Sequence, residues 1–282
     1  MISSKTEITG DAIALHYDEL DHFYRDIWGE HVHHGLWITG RESREKAVEQ
    51  LAARIAQEAR IGKGTQVCDV GCGYGATARM LANEYGAGVT ALTISPAQHR
   101  YAIERDPSST NPRYLLCDWL KNDLPAGSFD AVIAIESSEH MPDKAAFFAQ
   151  AFRVLRPGGR CVVSAWLARE EASGLESRFL LEPVTREGRM PGMGTESDYR
   201  RLFGLAGFAF DTFAELTRQV KKTWPMCAWL FALGLLRDPA YVKFLFNSHK
   251  RNRVFALTML RIWLAYNTGS MRYGIFTANK PI

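Results

Sequence analysis

The chain has 282 residues, of which 46% are hydrophobic and 23% charged, values that are ordinary for a globular protein with a sizeable core. Its 34 basic and 31 acidic side chains leave a net charge of +3, too small for a nucleic-acid-binding protein with a dense basic face. The five cysteines are odd in number and form no C-x-x-C pair, so we expect reduced thiols in a cytoplasmic protein rather than disulfides or a zinc site.

No stretch of the sequence predicts export or a membrane span. The N-terminal segment contains no apolar run behind a basic start, so we expect no signal peptide. The longest apolar stretch, residues 224–236, includes Pro225 and is shorter than the roughly 20 apolar residues of a spanning helix. We expect it to form a buried helix, a pocket wall or a segment at a membrane surface.

Apolar runs and helical patterns alternate through the first 166 residues. Residues 42–59 repeat apolar positions at helical spacing and predict an amphipathic helix. Later apolar runs predict strands at 66–70, 88–94, 113–119, 129–135 and 160–166. The segments between them predict helices at 76–86, at 95–106 with Ser95 as N-cap, and at 142–159, closed by glycines. Because each strand is continuously apolar, we predict a doubly wound α/β fold with a parallel sheet.

The pattern changes after the fifth predicted strand. Residues 168–198 predict a loop with short helical pieces, and residues 208–217 and 271–280 predict two closing strands. Residues 218–269 predict a helical insertion between these strands, which is too long for a simple connection. We divide the chain into a helical lid, a core, and closing strands with a helical cap, all in one continuous domain: residues 1–60, 61–166 and 167–282.

A glycine-rich turn follows the first strand of the predicted core. The segment V-C-D-V-G-C-G-Y-G-A-T-A places Gly71, Gly73 and Gly75 between strand and helix. Glycines let the backbone turn tightly there, and the helix N-terminus offers free N–H groups to a ligand. Gly71, Gly73 and Ala76 also fit G-x-G-x-x-A, the dinucleotide fingerprint. A nicotinamide-dependent oxidoreductase, or a binding module without catalysis, is therefore an alternative interpretation.

Asp69 stands two residues before the first glycine and completes a D-x-G-x-G pattern that resembles motif I of class I S-adenosylmethionine (SAM) methyltransferases. The second strand ends in T-I-S-P-A-Q, which is similar to T-x-S-P-x-Q in cyclopropane fatty acid synthases and tocopherol methyltransferases. The third ends in C-D-W, which resembles their adenine site, although Asp118 is by residue type also a common turn or helix cap. The resemblance implies a Rossmann-like fold that binds SAM through Asp69, Gly71, Gly73, Gly75, Thr93, Ile94, Gln98, Asp118, Trp119 and Glu136.

The N-terminal segment from Y-D-E-L to W-G-E-H-V-H-H-G-L-W resembles the leader of γ-tocopherol methyltransferases and related small-molecule enzymes. The resemblance implies a lid over SAM, with Tyr17 and His33 near the cofactor. A metal site is one interpretation of the three clustered histidines, His31, His33 and His34. However, neighbouring side chains of an extended segment point to opposite sides, and no cysteine or carboxylate joins the histidines at ligand spacing. We expect no metal and a structural role in ordering this loop.

The segment A-I-E-S-S-E-H-M follows the fourth strand, and residues at the carboxyl end of a parallel strand face the ligand crevice. This position puts Glu136 beside the reacting groups and His140 one turn into the following helix. Methyl transfer is an in-line displacement, and a histidine, with an ordinary pKa of about 6.5, suits the removal of a proton. We interpret His140 as the base, Glu136 as its orienting partner or an alternative base, and Glu139 as solvent-exposed. The plainer alternative is that Ser137 or Ser138 caps the helix while His140 packs under the lid.

Aromatic residues recur at helical spacing in the insertion. They are Trp224, Trp229, Phe231, Tyr241, Phe244, Phe246, Phe255, Trp263 and Tyr266. Such residues are usually core, but ligand pockets are also mostly apolar, so we expect a cap over a hydrophobic substrate that is phenolic, indolic or prenylated. The basic residues nearby are solvated in the simplest interpretation, or else bind a diphosphate or an anionic membrane: Lys221, Lys222, Lys250, Arg251 and Arg253.

We therefore expect a SAM-dependent methyltransferase that methylates carbon, oxygen or nitrogen of a hydrophobic small molecule. Cyclopropane fatty acid synthases, which modify membrane lipids through a carbocation, are an alternative, although their cysteine and tyrosine signature is not found in this sequence. The sequence leaves three questions open. They are the acceptor, the choice between monomer and homodimer, and whether residues 218–269 cover a substrate or form a dimer contact.

Overall fold

Strands and helices alternate through the core as the sequence predicts. The structure, a computed structural model, describes residues 1–3, 8–107, 110–246 and 255–282. The strands are β1 (Ile2–Ser3), β2 (Gln66–Val70), β3 (Gly88–Thr93), β4 (Arg113–Leu116), β5 (Phe129–Ile135), β6 (Leu155–Ala168), β7 (Gly192–Met193), β8 (Ala209–Glu215) and β9 (Met271–Asn279). The α-helices are α1 (Gly10–Trp28), α2 (Arg44–Glu58), α3 (Ala76–Tyr85), α4 (Pro96–Arg105), α5 (Lys144–Val154), α6 (Gly174–Glu176), α7 (Glu182–Glu187), α8 (Glu196–Leu205), α9 (Thr217–Val220), α10 (Thr223–Arg237), α11 (Pro239–Phe246) and α12 (Phe255–Thr268).

Seven strands form one sheet, in the order β4-β3-β2-β5-β6-β9-β8. Strands β2 to β6 pair in parallel, whereas β9 pairs antiparallel with both β6 and β8. Side chains alternate between two apolar clusters, so Val67 and Ile133 face one cluster while Cys68 and Val132 face the other. Both faces of the sheet are therefore covered, which confirms the predicted doubly wound, mostly parallel α/β fold.

The strand β6 begins earlier than the sequence predicts. Helix α5 ends at Val154, and Leu155 already pairs with Phe129 of β5. The glycines expected to close the helix lie inside β6, where Gly158 has a φ of +76° and the register with β5 shifts. These glycines therefore allow an irregularity in a strand and do not terminate a helix.

Helix α1, which belongs to the predicted lid of residues 1–60, is attached to the core by polar contacts at its middle. Asp18 Oδ1 accepts a hydrogen bond of 2.5 Å from Ser95 Oγ, which itself caps α4 by accepting from the N–H of Gln98. Tyr74 donates to Asp21 Oδ1 at 2.8 Å. These contacts place the buried face of α1 above the carboxyl ends of β2 and β3.

The predicted insertion between the last two strands consists of α9 to α12, and it packs against the lid. The Phe23 ring of α1 lies 4.8 Å from Tyr241 and 4.5 Å from Phe244, both of α11. Lys221 donates to Asn267 and Lys222 lies over the Trp37 ring, so both predicted surface cations contact neighbouring groups. The basic residues Lys250, Arg251 and Arg253, and the side chain of Phe255, lie outside the described residues. Within the described ranges, no helix has the length and apolar character that crossing a membrane requires.

Candidate active site

Two cavities meet at the carboxyl ends of β2, β3 and β5. The first, which we name the glycine-loop cavity, holds about 860 Å³ of free space including its mouth. Nine of the residues predicted to bind a cofactor line it: Tyr17, Gly71, Gly73, Thr93, Ile94, Gln98, Asp118, Trp119 and Glu136. Asp69 and His33 line a smaller neighbour, the side cavity, which shares Gly71 and Gly73 with the first. The structure therefore brings eleven of the twelve predicted cofactor residues to one place.

The three glycines of the loop have different surroundings. All have positive φ angles, +83° at Gly71, +56° at Gly73 and +77° at Gly75. A Cβ at Gly71 would lie 2.4 Å from the Cβ of Ser137, and one at Gly75 would lie 2.6 Å from the Tyr114 ring. A Cβ at Gly73 would meet nothing within 4 Å. Gly73 thus borders the open space of the cavity. A Cβ at Gly75, which does not line this cavity, would collide with Tyr114, and the role of Gly75 in cofactor binding stays a prediction.

The side chains at the ends of β3 and β4 are ordered by local hydrogen bonds. Thr93 Oγ1 donates to Gln98 Oε1 at 2.8 Å. Asp118 Oδ1 accepts from the N–H of Leu120 at 3.0 Å, so Asp118 caps a short turn as well as lining the cavity. Trp119 is buried and donates its indole N–H to a backbone carbonyl at 3.2 Å. The capping alternative for Asp118 is therefore confirmed, and its role in cofactor binding stays a prediction.

The side cavity contains two buried polar atoms without a hydrogen-bond partner among the described residues, Asp69 Oδ2 and His33 Nε2. Burial raises the pKa of Asp69 to about 7 and lowers that of His33. His33 Nδ1 lies 2.8 Å from the carbonyl of His34, so Nδ1 donates and Nε2 carries the free lone pair. An acceptor oxygen, a ring nitrogen and the open space at Gly73 fit a ligand with polar groups, which is what the amino-acid end of SAM offers.

Glu136 is a buried carboxylate with a set of neutral donors. His34 donates to it from its backbone N–H at 2.8 Å and lies 2.9 Å away through Nδ1. Trp166 donates at 2.7 Å and the Tyr273 hydroxyl at 2.8 Å. Burial raises the pKa of this carboxyl, whereas the hydrogen bonds from His34 and Trp166 lower it, so that it lies below its ordinary value. Its φ of +53° is a strained backbone position of the kind found at functional sites.

His140 contacts the lid rather than Glu136. Its Nδ1 lies 3.1 Å from the carbonyl of Arg189 and its Nε2 lies 3.0 Å from the Tyr17 hydroxyl. Because a carbonyl can only accept, Nδ1 carries the proton and Nε2 accepts from Tyr17. Burial lowers the pKa of His140 to about 4, so its ring is neutral at pH 7. The predicted orienting role of Glu136 is therefore wrong: among the described residues, the Arg189 carbonyl and Tyr17 orient His140.

His140 also precedes the helix in which the sequence placed it. Residues Ser138–His140 form a 3₁₀ turn, and α5 starts at Lys144 with Asp143 as its N-cap. Pro142 explains the delay, because a proline disfavours helical conformation in the residue before it. The capping alternative for the serines is also wrong, since Ser137 Oγ donates to the carbonyl of Val70 at 2.5 Å.

Glu139, which the sequence assigned to solvent, is buried. Trp166 donates its backbone N–H to Oε1 at 2.6 Å, and Ser138 donates to Oε2 at 3.1 Å. Burial raises the pKa of Glu139 to about 7. The expectation failed because β6 and α8 cover this turn, so that Ser138 also meets Tyr199 at 2.8 Å.

The second cavity, which we name the aromatic cavity, holds about 810 Å³ of free space including its mouth. Lid, strand and insertion all contribute aromatic side chains to it: Tyr17, Tyr24, Trp28, Trp166 and Trp224. The insertion adds Thr258 and Ile262, while its buried Phe231, Tyr241 and Phe244 are core. The two cavities share Tyr17, Val32, Glu136 and His140.

The chain resembles known methyltransferases in sequence. A family model described as a methyltransferase domain matches residues 68–163. The 27-O-demethylrifamycin SV methyltransferase of Amycolatopsis mediterranei (strain S699) is 30% identical over 98% of this chain and 99% of its own. The chain belongs to the class I SAM-dependent methyltransferases. Tocopherol O-methyltransferase of Arabidopsis thaliana, a chloroplastic protein, is 28% identical over 99% of this chain and 85% of its own.

The methyltransferase fold is also found in solved structures. Mycolic acid cyclopropane synthase CmaA1, crystallised with S-adenosylhomocysteine (SAH) and CTAB, has a TM-score of 0.85 at 19% identity and covers 98% of this chain and 100% of its own. This likeness shows the fold alone. The methyltransferase is an enzyme whose cofactor is SAM.

Sequence reasoning missed four groups at the methyltransferase site: Glu139, His34 as a partner of Glu136, Trp166 and Tyr273. Trp166 follows the rule for strand ends, because it lies near the carboxyl end of β6. Tyr273 faces it across the antiparallel pair of β6 and β9. A prediction of that pairing could have found Tyr273, whereas nothing local to His34 indicates its contact with Glu136.

Proposed function

We propose that this enzyme transfers a methyl group from SAM to carbon, oxygen or nitrogen of a hydrophobic small molecule in the aromatic cavity. The observation that carries the proposal is the junction of the two cavities at Tyr17, Val32, Glu136 and His140. One cavity carries the glycine loop and the strand ends, and the other is walled by aromatic rings. An acceptor on the aromatic side would therefore meet a cofactor on the glycine side at these four residues.

In this proposal, Tyr17 and His140 handle the proton of the acceptor. SAM, when bound, supplies an electrophilic methyl group on a positively charged sulfur. His140 is neutral and holds Nε2 towards the Tyr17 hydroxyl. A proton that leaves the acceptor can pass to the Tyr17 oxygen while the phenol proton passes to Nε2. The remaining contribution of the chain is positioning, since the walls fix the acceptor and exclude water.

Ligand-dependent unfolding tests this function. Thermal unfolding would be followed with SAM, SAH, NADH and buffer alone, and a ligand at 100 times its Kd adds about 2.7 kcal/mol of stability. We expect stabilisation by SAM and SAH. Stabilisation by NADH alone would restore the oxidoreductase alternative. A panel of phenols, indoles, prenyl compounds and amines with radiolabelled SAM would then identify the methylated atom.

A second candidate is the modification of a membrane lipid, as in cyclopropane synthases. The observation that favours it is a set of exposed apolar side chains on α10 and α12, among them Trp229, Leu236, Leu260 and Trp263. The segment 217–269 also carries nine of the 34 basic residues and one of the 31 acidic ones. Peripheral contact with an anionic membrane would use both features. Co-sedimentation with anionic and zwitterionic vesicles tests this contact.

We propose a cytoplasmic location, with the oligomeric state as monomer or homodimer. Cys68, Cys161 and Cys227 are buried free thiols, which suits a reducing compartment. The same exposed face of α10 and α12 would serve a homodimer if vesicles do not bind. Light scattering in the presence and absence of SAH distinguishes these states.

A further inference from the structure

The aromatic cavity has an unusual balance of charge. Three glutamates line it, Glu136, Glu139 and Glu187, and no lysine or arginine does among the residues that the structure describes. Two of the three have a cation close by. Glu187 is paired with Arg261 and accepts from Thr258 at 2.7 Å. Glu139 lies near Lys144, whose Nζ donates to the Glu139 carbonyl at 3.2 Å.

Glu136 differs from the other two because its partners are neutral. The indole N–H of Trp224 donates to His34 Nε2 at 2.8 Å. An indole N–H cannot accept, so the proton of the His34 ring lies on Nδ1 and the ring is neutral. The other donors to Glu136, the Trp166 indole and the Tyr273 hydroxyl, carry no charge either. The carboxylate is thus a buried anion without a cation partner in the described part of the chain.

The walls beside this anion are aromatic. Tyr17, Tyr24, Trp28, Trp166 and Trp224 line the same cavity. Aromatic faces attract cations, and cages of such rings are a common way to bind ammonium groups. A buried anion and aromatic walls therefore favour the same kind of occupant, one with positive charge. An acceptor that reacts as an anion, such as a phenolate, would be placed beside a fixed carboxylate at a large electrostatic cost.

We propose that the acceptor is an amine, methylated at nitrogen, whose cationic product is held beside Glu136. This assignment rests on the proposed methyl transfer. In the reaction, the nitrogen lone pair forms the new N–C bond as the S–C bond breaks, with the bonding pair staying on sulfur. The positive charge thereby moves from sulfur to nitrogen. A tertiary amine has no proton to lose, and the ammonium formed from a primary or secondary amine keeps its proton and its charge beside Glu136 until release.

Binding of three probes of similar shape tests the proposal. They share a phenol ring and differ in the para group: 4-(trimethylammonio)phenol is a cation, 4-tert-butylphenol is its uncharged isostere, and 4-hydroxybenzenesulfonate is an anion. Calorimetry on the full chain saturated with SAH would give the three Kd values. We expect the cation to bind about tenfold or more tightly than the isostere, and the sulfonate to bind most weakly.

Two variants connect this preference to the carboxylate. In Glu136→Gln the advantage of the cation should fall below about threefold, while SAH, which lacks the sulfonium charge, still binds. Glu215→Gln is the matched control, because Glu215 lies on β8 outside the cavities and pairs with Arg272. It should keep the full preference. If Glu136→Gln does not fold, the comparison of the three probes on the unmodified chain decides the proposal.

The possible results separate the amine assignment from the methyl transfer itself. If SAH binds but the isostere or the sulfonate binds as well as the cation, or no probe binds, the amine assignment is overturned and methyl transfer stands. If SAH does not bind, methyl transfer fails, and the probes are measured without it. A cation preference under those conditions still supports the site, and its absence overturns it.

Discussion

The two sides of the active site differ in how the chain builds them. The glycine-loop cavity takes most of its residues from successive turns after β2, β3, β4 and β5, which the sheet topology brings together, and α1 adds Tyr17. The aromatic cavity depends on distant segments. His34 bonds to Trp224, 190 residues further on, and Glu136 bonds to Tyr273, 137 residues further on. Changes on one side should therefore leave the other intact, and a residue at the junction should connect them.

Replacing the junction histidine should have the largest effect. We expect His140→Gln to reduce turnover by about 10²- to 10⁴-fold on an acceptor that loses a proton as it is methylated, because a positioned proton acceptor contributes that much. The Kd for SAH should change little, since the glycine loop and the strand ends remain. Initial rates with radiolabelled SAM and calorimetry with SAH give the two quantities.

His99→Gln is the control for that experiment, since His99 lies on α4 and lines neither cavity. Full turnover by His140→Gln with SAH still bound would remove His140 from catalysis. A loss of SAH binding together with turnover would instead mean that the two sides are not independent.

The glycine loop offers a comparison within one side. In Gly71→Ala the new Cβ would lie 2.4 Å from Ser137 at a φ of +83°, so the free energy of unfolding should fall by roughly 2–4 kcal/mol. In Gly73→Ala the Cβ meets no protein atom within 4 Å. Its φ of +56° is one that alanine tolerates at a cost of about 1 kcal/mol. Gly73→Ala should therefore mainly weaken SAH binding.

Urea unfolding and SAH calorimetry on both variants distinguish the two roles. Gly62→Ala, at a glycine with nothing within 4 Å and no positive φ, is a suitable control. Equal losses of stability in Gly71→Ala and Gly73→Ala would contradict the assignment of Gly73 to ligand space.

The same division explains what the sequence could predict. The strand and helix patterns and the cap at Ser95 depend on neighbours within about ten positions, and the structure has them nearly as expected. Most residues predicted to bind the cofactor line one cavity, while their contacts with the cofactor stay a prediction. The close approach of Gly75 to Tyr114 could not be predicted locally, because Tyr114 belongs to another strand.

The acceptor side was less predictable for the same reason. The sequence does not indicate the burial of Glu139, because β6 and α8 cover it. Glu136 was predicted to orient His140 because the two residues are close along the chain. The hydrogen-bond partners of Glu136 come instead from three separate segments: His34, Trp166 and Tyr273. Patterns of spacing carry no information on such contacts before the tertiary packing is known.

Substitutions of two buried tyrosines test how much the hydrogen bonds to Glu136 stabilise the fold. Tyr273→Phe removes one donor from the carboxylate, so the free energy of unfolding should fall by about 1–3 kcal/mol, with little change in the Kd for SAH. Tyr266→Phe is the matched control. Its hydroxyl is buried without a hydrogen-bond partner among the described residues, so its removal should be nearly neutral. Chemical unfolding gives both values, and equal losses in the two variants would show that the donors to Glu136 do not stabilise the fold.

The smallest expected effect is a proton released on the cofactor side. Burial raises the pKa of Asp69 to about 7, and its Oδ2 has no hydrogen-bond partner among the described residues. A ligand N–H or ammonium donating to that oxygen favours the ionised form, so SAH binding at pH 7 should release a fraction of one proton. The affinity should therefore rise with pH up to about 7 and level off above it, by at most about tenfold per pH unit.

Calorimetry in two buffers of different ionisation enthalpy measures this proton directly. In Asp69→Asn the release should vanish and the affinity should become nearly independent of pH. A released proton of the same size in Asp69→Asn would instead come from another group. That group would not be His33. Burial lowers the pKa of His33, so its ring is already neutral at pH 7 and carries only the proton on Nδ1, which it donates. Proton release that disappears with Asp69 would therefore place the donor end of the ligand in the side cavity, near the carboxyl end of β2.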